Sequence, residues 1–214
     1  HTRHEVTSEG SRCVNCHLPF ATFGLMKTGR THRVVSPDAR HTADSRLPSG
    51  CNQCHVDQTL AWTAKWLTEW YGAEPLGFLG DARDALSLTT VELLAGHALN
   101  RTIAAASLGW GPAIEAAPGD WAVPLLLQAM DDEYAAVRLN AWVALRTRAG
   151  LEPDAFDYLA PPAQRRAVID RMLDVWRAVT REDLPPELAV DARVGVVERW
   201  RRDLLAVRDR TPLT

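Results

Sequence analysis

Apolar residues recur at helical spacing from residue 57 onward and hardly at all before it. Leu60, Trp62, Trp66, Leu67 and Trp70 place three tryptophans at i, i+4 and i+8, a single stripe on one helix face. Asp57 is placed to cap the first turn of this helix, and Tyr71-Gly72 followed by Pro75 to end it. Periodic runs over 90–98, 101–110, 121–130 and 133–148 then predict antiparallel helix pairs, separated by Asn100, Gly111-Pro112, Pro118-Gly119 and Asp131-Asp132. Two longer amphipathic helices are expected over 164–179 and 189–207, with Pro185-Pro186 forcing a break between them. In the last helix Arg193, Arg199, Arg201 and Arg202 are mixed with Glu198 and Asp203, which reads as a solvated face rather than a membrane-surface or nucleic-acid patch.

Residues 1–56 lack this periodicity, yet they hold all four cysteines and six of the seven histidines. The cysteines fall in Cys13-Val14-Asn15-Cys16-His17 and Cys51-Asn52-Gln53-Cys54-His55, each a Cys-x-x-Cys-His signature of covalent haem attachment. The spacing has a chemical reason: two thiols must reach the two vinyl groups of one porphyrin, and the next residue must turn its imidazole under the iron. A structural zinc held by the paired cysteines is the competing reading, but it gives no reason for a histidine directly after both pairs. With porphyrins as its apolar core, a segment poor in leucine can still fold. The stretches 20–26 and Val34-Val35 are expected to lie against a haem face.

His17 and His55 are then the proximal iron ligands. His1, His4, His32 and His41 are open candidates for the distal positions, and His41, in a polar loop, reads more readily as solvated. Met26 is the one methionine close enough in sequence to compete, and it reads as packing, so ligation by two histidines is favoured. His97, the remaining histidine, is expected near a helix C-terminus, where the dipole favours an imidazole.

At 214 residues with 46% hydrophobic composition the chain can bury a sizeable core, and its net charge of −3 gives no sign of a nucleic-acid partner. No apolar run approaches the roughly 18 residues of a bilayer span, so any membrane association is expected to be indirect. Haems of the c type are attached outside the energy-conserving membrane. A periplasmic or extracytoplasmic location is therefore expected, and the opening on His1 rather than Met fits either a processing site, with loss of a leader or anchor, or further residues upstream.

The run Cys13 to Pro19, the segment His32-Arg33-Val34-Val35-Ser36-Pro37 and the second motif together resemble the C-terminal haem pair of the ammonia-forming cytochrome c nitrite reductase family. The resemblance covers the first quarter to third of the chain. It implies that His4, with His1 as the nearby alternative, serves the last haem, and that His32 serves an earlier one. That family's Cys-x-x-Cys-Lys catalytic motif and its Lys-x-Gln-x-His run are both missing, so its catalysis is not implied. Farther along, Val123-Pro124-Leu125-Leu126-Leu127, the turn Asp131-Asp132-Glu133 and Val137-Arg138 resemble a HEAT repeat, with Ala135, Ala136, Ala141 and Ala144 allowing close helix approach.

The expectation is a mostly α protein: a loop-rich dihaem c-type cytochrome module over 1–72, a linker over 73–87 and a HEAT-like helical stack over 88–214. Electron transfer is the expected function, with other redox proteins or haem subunits of a larger complex as partners. A fragment of a multihaem reductase acting on a small nitrogen or sulfur oxyanion, and a structural haem-bearing subunit, are the alternatives.

Overall fold

Thr59, rather than Asp57, opens the tryptophan helix α4 (Leu60–Tyr71): its side chain accepts the backbone N–H of Trp62. Gly72 closes it in the left-handed conformation, at φ 67°, while Ala73 N–H reaches back to the Leu67 carbonyl. Ahead of α4, the computed structural model has two short helices at the cysteine motifs, α1 (Cys13–His17) and α3 (Gly50–Cys54). Between them lie the antiparallel hairpin β1 (Phe20–Phe23) and β2 (Lys27–Arg30) and the helix α2 (Ala39–Ser45). The structure describes residues 1–24, 26–150, 156–180 and 202–211.

Among the described residues after α4, the regular elements are all helices. The described helices are α5 (Leu88–Ala95), α6 (Ala98–Leu108), α7 (Gly111–Ala116), α8 (Val123–Ala129), α9 (Ala135–Ala149) and α10 (Pro162–Thr180). Asn100 does not separate two helices. The break falls at Gly96-His97, and His97 is the N-cap of α6, its Nδ1 accepting from Leu99 N–H, not a C-terminal residue. Pro112 likewise opens α7, because its missing N–H costs nothing in a first turn. The expected 189–207 helix lies outside the described residues except for 202–206, which are helical, and the Pro185-Pro186 break lies outside them altogether.

Helix approach in this body is set by small residues. A Cβ on Gly109 would fall 2.4 Å from the Ala144 Cα, so α6 and α9 meet backbone to backbone. Leu93, Leu94, Leu108, Leu126, Leu127, Val137 and Leu145 fill the space around that contact, each fully buried and worth about 1.5–3 kcal/mol by transfer from water.

The 1–72 and 88–214 segments share that core. Val56, directly after the second cysteine motif, is 0% exposed and belongs to the same cluster as the α5–α9 leucines. Phe20 packs edge-on against Trp110 at 5.2 Å, Thr89 donates to the Asn52 carbonyl at 3.1 Å, and Asn140 donates to the Met26 carbonyl at 3.1 Å. The 73–87 connection enters the same cluster through Ala82, in its one 3-10 turn at Ala82–Asp84, and Leu86 packs against it. The helical body therefore acts as the floor on which the cysteine motifs are laid. No helix among the described residues is long and apolar enough to cross a membrane.

Candidate metal centres

The residues between the cysteines hold the motifs in place. Asn15 is buried, donating to the Glu9 carbonyl at 2.7 Å and accepting from Arg30. Arg30 also reaches the carbonyls of Val14 and Leu18 at 3.0 and 3.1 Å while its guanidinium covers the Phe20 ring at 4.0 Å. In the second motif, Gln53 exchanges two hydrogen bonds with the backbone of Phe20, at 2.7 and 2.8 Å, and Asn52 donates to Gln58 and accepts from Thr63. The two motif helices touch directly at Gly50, where a Cβ would lie 3.1 Å from the Cys16 carbonyl oxygen and 3.2 Å from that of Asn15.

All four cysteines are free. Burial first, and the neighbouring thiols second, push Cys51 and Cys54 up to about 12, and burial also raises Cys16. Such sites favour the neutral thiol over the thiolate as long as no cation is bound. Among the described residues no three His, Cys, Asp or Glu side chains gather as a metal cage.

The histidines are arranged differently. His1 faces His17 with ring centres 6.1 Å apart and planes within 9°, and His4 faces His55 at 6.1 Å and 29°. Two in-line metal–imidazole bonds of about 2.0 Å plus two ring radii of about 1.1 Å put such centres about 6.2 Å apart. Each pair of near-parallel rings therefore has the centre-to-centre distance of two imidazoles sharing one metal ion, and the coincidence occurs twice. His17 Nδ1 lies 2.7 Å from the Val35 carbonyl and His4 Nδ1 lies 2.7 Å from the Thr2 carbonyl. A carbonyl only accepts, so both Nδ1 atoms carry the proton and both Nε2 atoms are left bare for a metal. His55 is held below its ordinary pKa by burial, then by the charge of His4, against the opposing pull of Asp57. It is kept in the neutral form that ligates.

Around these pairs stands the aromatic stripe of α4. Trp62 lies 4.8 Å from His55, Trp66 lies 4.8 Å from Trp70, Trp70 meets His4 edge-on at 6.5 Å, and Tyr71 lies 6.1 Å from His1. The indole N–H of Trp66 is shielded without a hydrogen-bond partner, a cost of about 1–3 kcal/mol that an acceptor on a bound group would relieve.

Of the expected site residues, the structure gathers Cys13, Cys16, His17, Cys51, Cys54, His55 and His4, and adds His1. It does not bring His32 to either pair: His32 is exposed and tilted against Phe23 at 5.7 Å. Phe23 and Val34, expected to face a haem, are 61% and 71% exposed, whereas Phe20 packs on Trp110. His41 is exposed on α2. Sequence reasoning passed over Gly10, Arg30, Gly50 and Tyr71. Arg30 carried no distinct signal, being one of three basic residues with Lys27 and Arg33 between the two apolar stretches. Searches of protein families, curated proteins and solved structures find no match to this chain.

Proposed function

We propose that this chain is an electron-transfer protein that holds two c-type haems, one through Cys13, Cys16 and His17 and one through Cys51, Cys54 and His55. The observation that carries this reading is the pair of facing imidazole couples at 6.1 Å, each matching one attachment motif with one histidine of the N-terminal arm. When bound, each haem supplies an iron that takes up and releases a single electron. The chain's residues do the rest. His17 and His55 ligate from the motif side, His4 closes the His55 centre, and His1 rather than His32 closes the His17 centre. Val35 and Thr2 carbonyls orient two of the four rings. Gly50 brings the two motif helices into contact, which shortens the path between the centres.

With His1 and His17 at one centre and His4 and His55 at the other, the chain itself would supply both ligands of each bound haem, which favours a carrier over the reductase fragment. The α8–α9 pair, its acidic turn and the Gly109–Ala144 approach suit a HEAT-like stack serving as a docking platform for other redox proteins or haem subunits. Attachment chemistry of this kind places the protein outside the cytoplasm.

Pyridine haemochrome analysis with absorption and low-temperature EPR spectra tests the reading. Two c-type haems per chain, both low-spin, are expected. Absence of covalent haem in protein matured with a c-type attachment system overturns the assignment, and a high-spin centre in the wild type returns the reductase reading.

A further inference from the structure

The two arm histidines are held unequally. His4 is fixed on several sides: its Nδ1 donates to the Thr2 carbonyl at 2.7 Å, and its own carbonyl accepts from Ser11 Oγ at 3.2 Å. That hydroxyl also holds the Glu5 carbonyl at 2.6 Å and meets Thr2 Oγ1 at 3.1 Å. The His4 ring sits in a notch at Gly10, where a Cβ would fall 2.3 Å from its Cδ2, and the edge of Trp70 stands on its other flank. His1 has far less. Among the described residues, its hydrogen bond to the body is the one its carbonyl accepts from the Tyr71 phenol, whose ring lies 6.1 Å away at 50°. Its partner His17 is by contrast clamped, with Nδ1 donating to the Val35 carbonyl and Val35 N–H donating back to the His17 carbonyl at 2.9 Å.

We propose that Tyr71 is a positioning residue that keeps His1 on the His17 metal centre, and that this centre alone exchanges its distal imidazole for a small external ligand. The proposal rests on the two-haem reading above. Of the two arm histidines, His4 has a ring hydrogen bond while His1 is held through its carbonyl by the Tyr71 phenol, so a change at Tyr71 is felt at one centre and not at the other. Outer-sphere partners of a ligating histidine typically matter by about 10- to 100-fold in affinity. Tyr71 acts one covalent step further out, through the His1 backbone, so its loss lowers occupancy of the axial position rather than abolishing it. Ligand exchange here moves no electrons: the imidazole leaves with its lone pair, and the incoming ligand supplies its own.

The test uses the haem-loaded chain and the variants Tyr71→Phe and His1→Ala. Tyr71→Phe keeps the ring and removes only the donor. Expected are an unchanged haem content of two per chain, a new high-spin EPR signal from a fraction of one haem, and carbon monoxide binding by the reduced protein approaching one per chain. Added imidazole should restore the low-spin spectrum, and His1→Ala should give the same signal in full. Two low-spin, carbon-monoxide-inert haems in Tyr71→Phe overturn the proposal while leaving the two-haem reading intact; no haem in the wild type overturns that reading instead. Should Tyr71→Phe fail to fold, the wild type decides. Carbon monoxide or cyanide entering one haem at least tenfold faster than the other supports the proposal, and equal rates overturn it.

Discussion

Gly10 shows how much a single hydrogen atom can matter at a ligand. Its missing Cβ makes room for the His4 imidazole, since an added methyl would overlap Cγ and Cδ2 at 2.5 and 2.3 Å. Gly10→Ala should therefore drive His4 away from His55 and give a high-spin signal at the His55 centre, read by EPR, while the His17 centre keeps its spectrum. Glu92 makes a different prediction. It is half-buried on α5 and accepts from Asn100 at 2.7 Å, and burial raises its carboxyl above the ordinary 4.5 against the pull of Asn100, Arg46 and Arg83. The folded state thus binds this proton more tightly than the unfolded state does. The stabilisation is complete below pH 4.5 and is lost as pH rises through the folded value. Glu92→Gln, which keeps an acceptor for Asn100, should be more stable than the wild type at pH 8, with the difference vanishing toward pH 4 in urea titrations. Neither effect was legible beforehand. The histidines announce themselves by type, but the notch that seats one and the burial that raises a carboxyl are products of tertiary contact.

At the scale of elements, the legible parts were those with local causes. The α4 stripe followed from a 3.6-residue period and Gly72, and its start moved by two residues because Thr59 takes the Trp62 amide while the Asp57 carboxylate takes the Gln58 side chain. The α5–α6 break was misplaced for a similar reason. Asn100 looks like a breaker, yet its amide is used sideways, on Glu92 and on the Arg46 carbonyl, and the helix runs through it. The 1–56 segment gave no periodicity, because its order comes from side-chain amides and Arg30 gripping carbonyls rather than from a repeating apolar face. That placed the motifs beyond reach of pattern reading, and the contact of α1 with α3 at Gly50 most of all. Gly50→Ala puts a methyl 3.1–3.2 Å from two carbonyl oxygens, tighter than ordinary packing, so the motif helices must separate by a few tenths of an ångström. A loss of about 1–3 kcal/mol is expected from such overpacking. Thermal unfolding measures the loss. On the two-haem proposal, a drop in the rate of electron exchange between the centres should accompany it.

At the scale of the whole molecule, one buried carboxylate joins segments that sequence distance keeps far apart. Asp132, in the turn between α8 and α9, is fully enclosed and takes both Arg101 of α6, at 2.9 and 3.1 Å, and Arg208 of the C-terminal segment, at 2.9 Å. Arg101 extends the knot to the carbonyls of Gly96 and Asp209, and Arg208 to that of Leu94, while Asp209 N–H returns to Ala95. The resemblance to a repeat turn explains an acidic residue there, but not a partner 76 positions away. Replacing the knot by apolar residues need not be costly, whereas removing its one anion leaves two guanidinium groups uncompensated in a dry site. Asp132→Asn should accordingly lose about 3–5 kcal/mol, seen as a lower urea midpoint. Because Arg208 gives up its anchor, residues 202–211 should also become the first site of limited proteolysis. The spectra of the proposed haems should stay unchanged at temperatures where the variant remains folded, since none of the proposed ligands hangs from this knot. Loss of low-spin signal in the folded variant would mean that the helical body governs the metal centres through Asp132, and not only through the shared core at Val56 and Trp110.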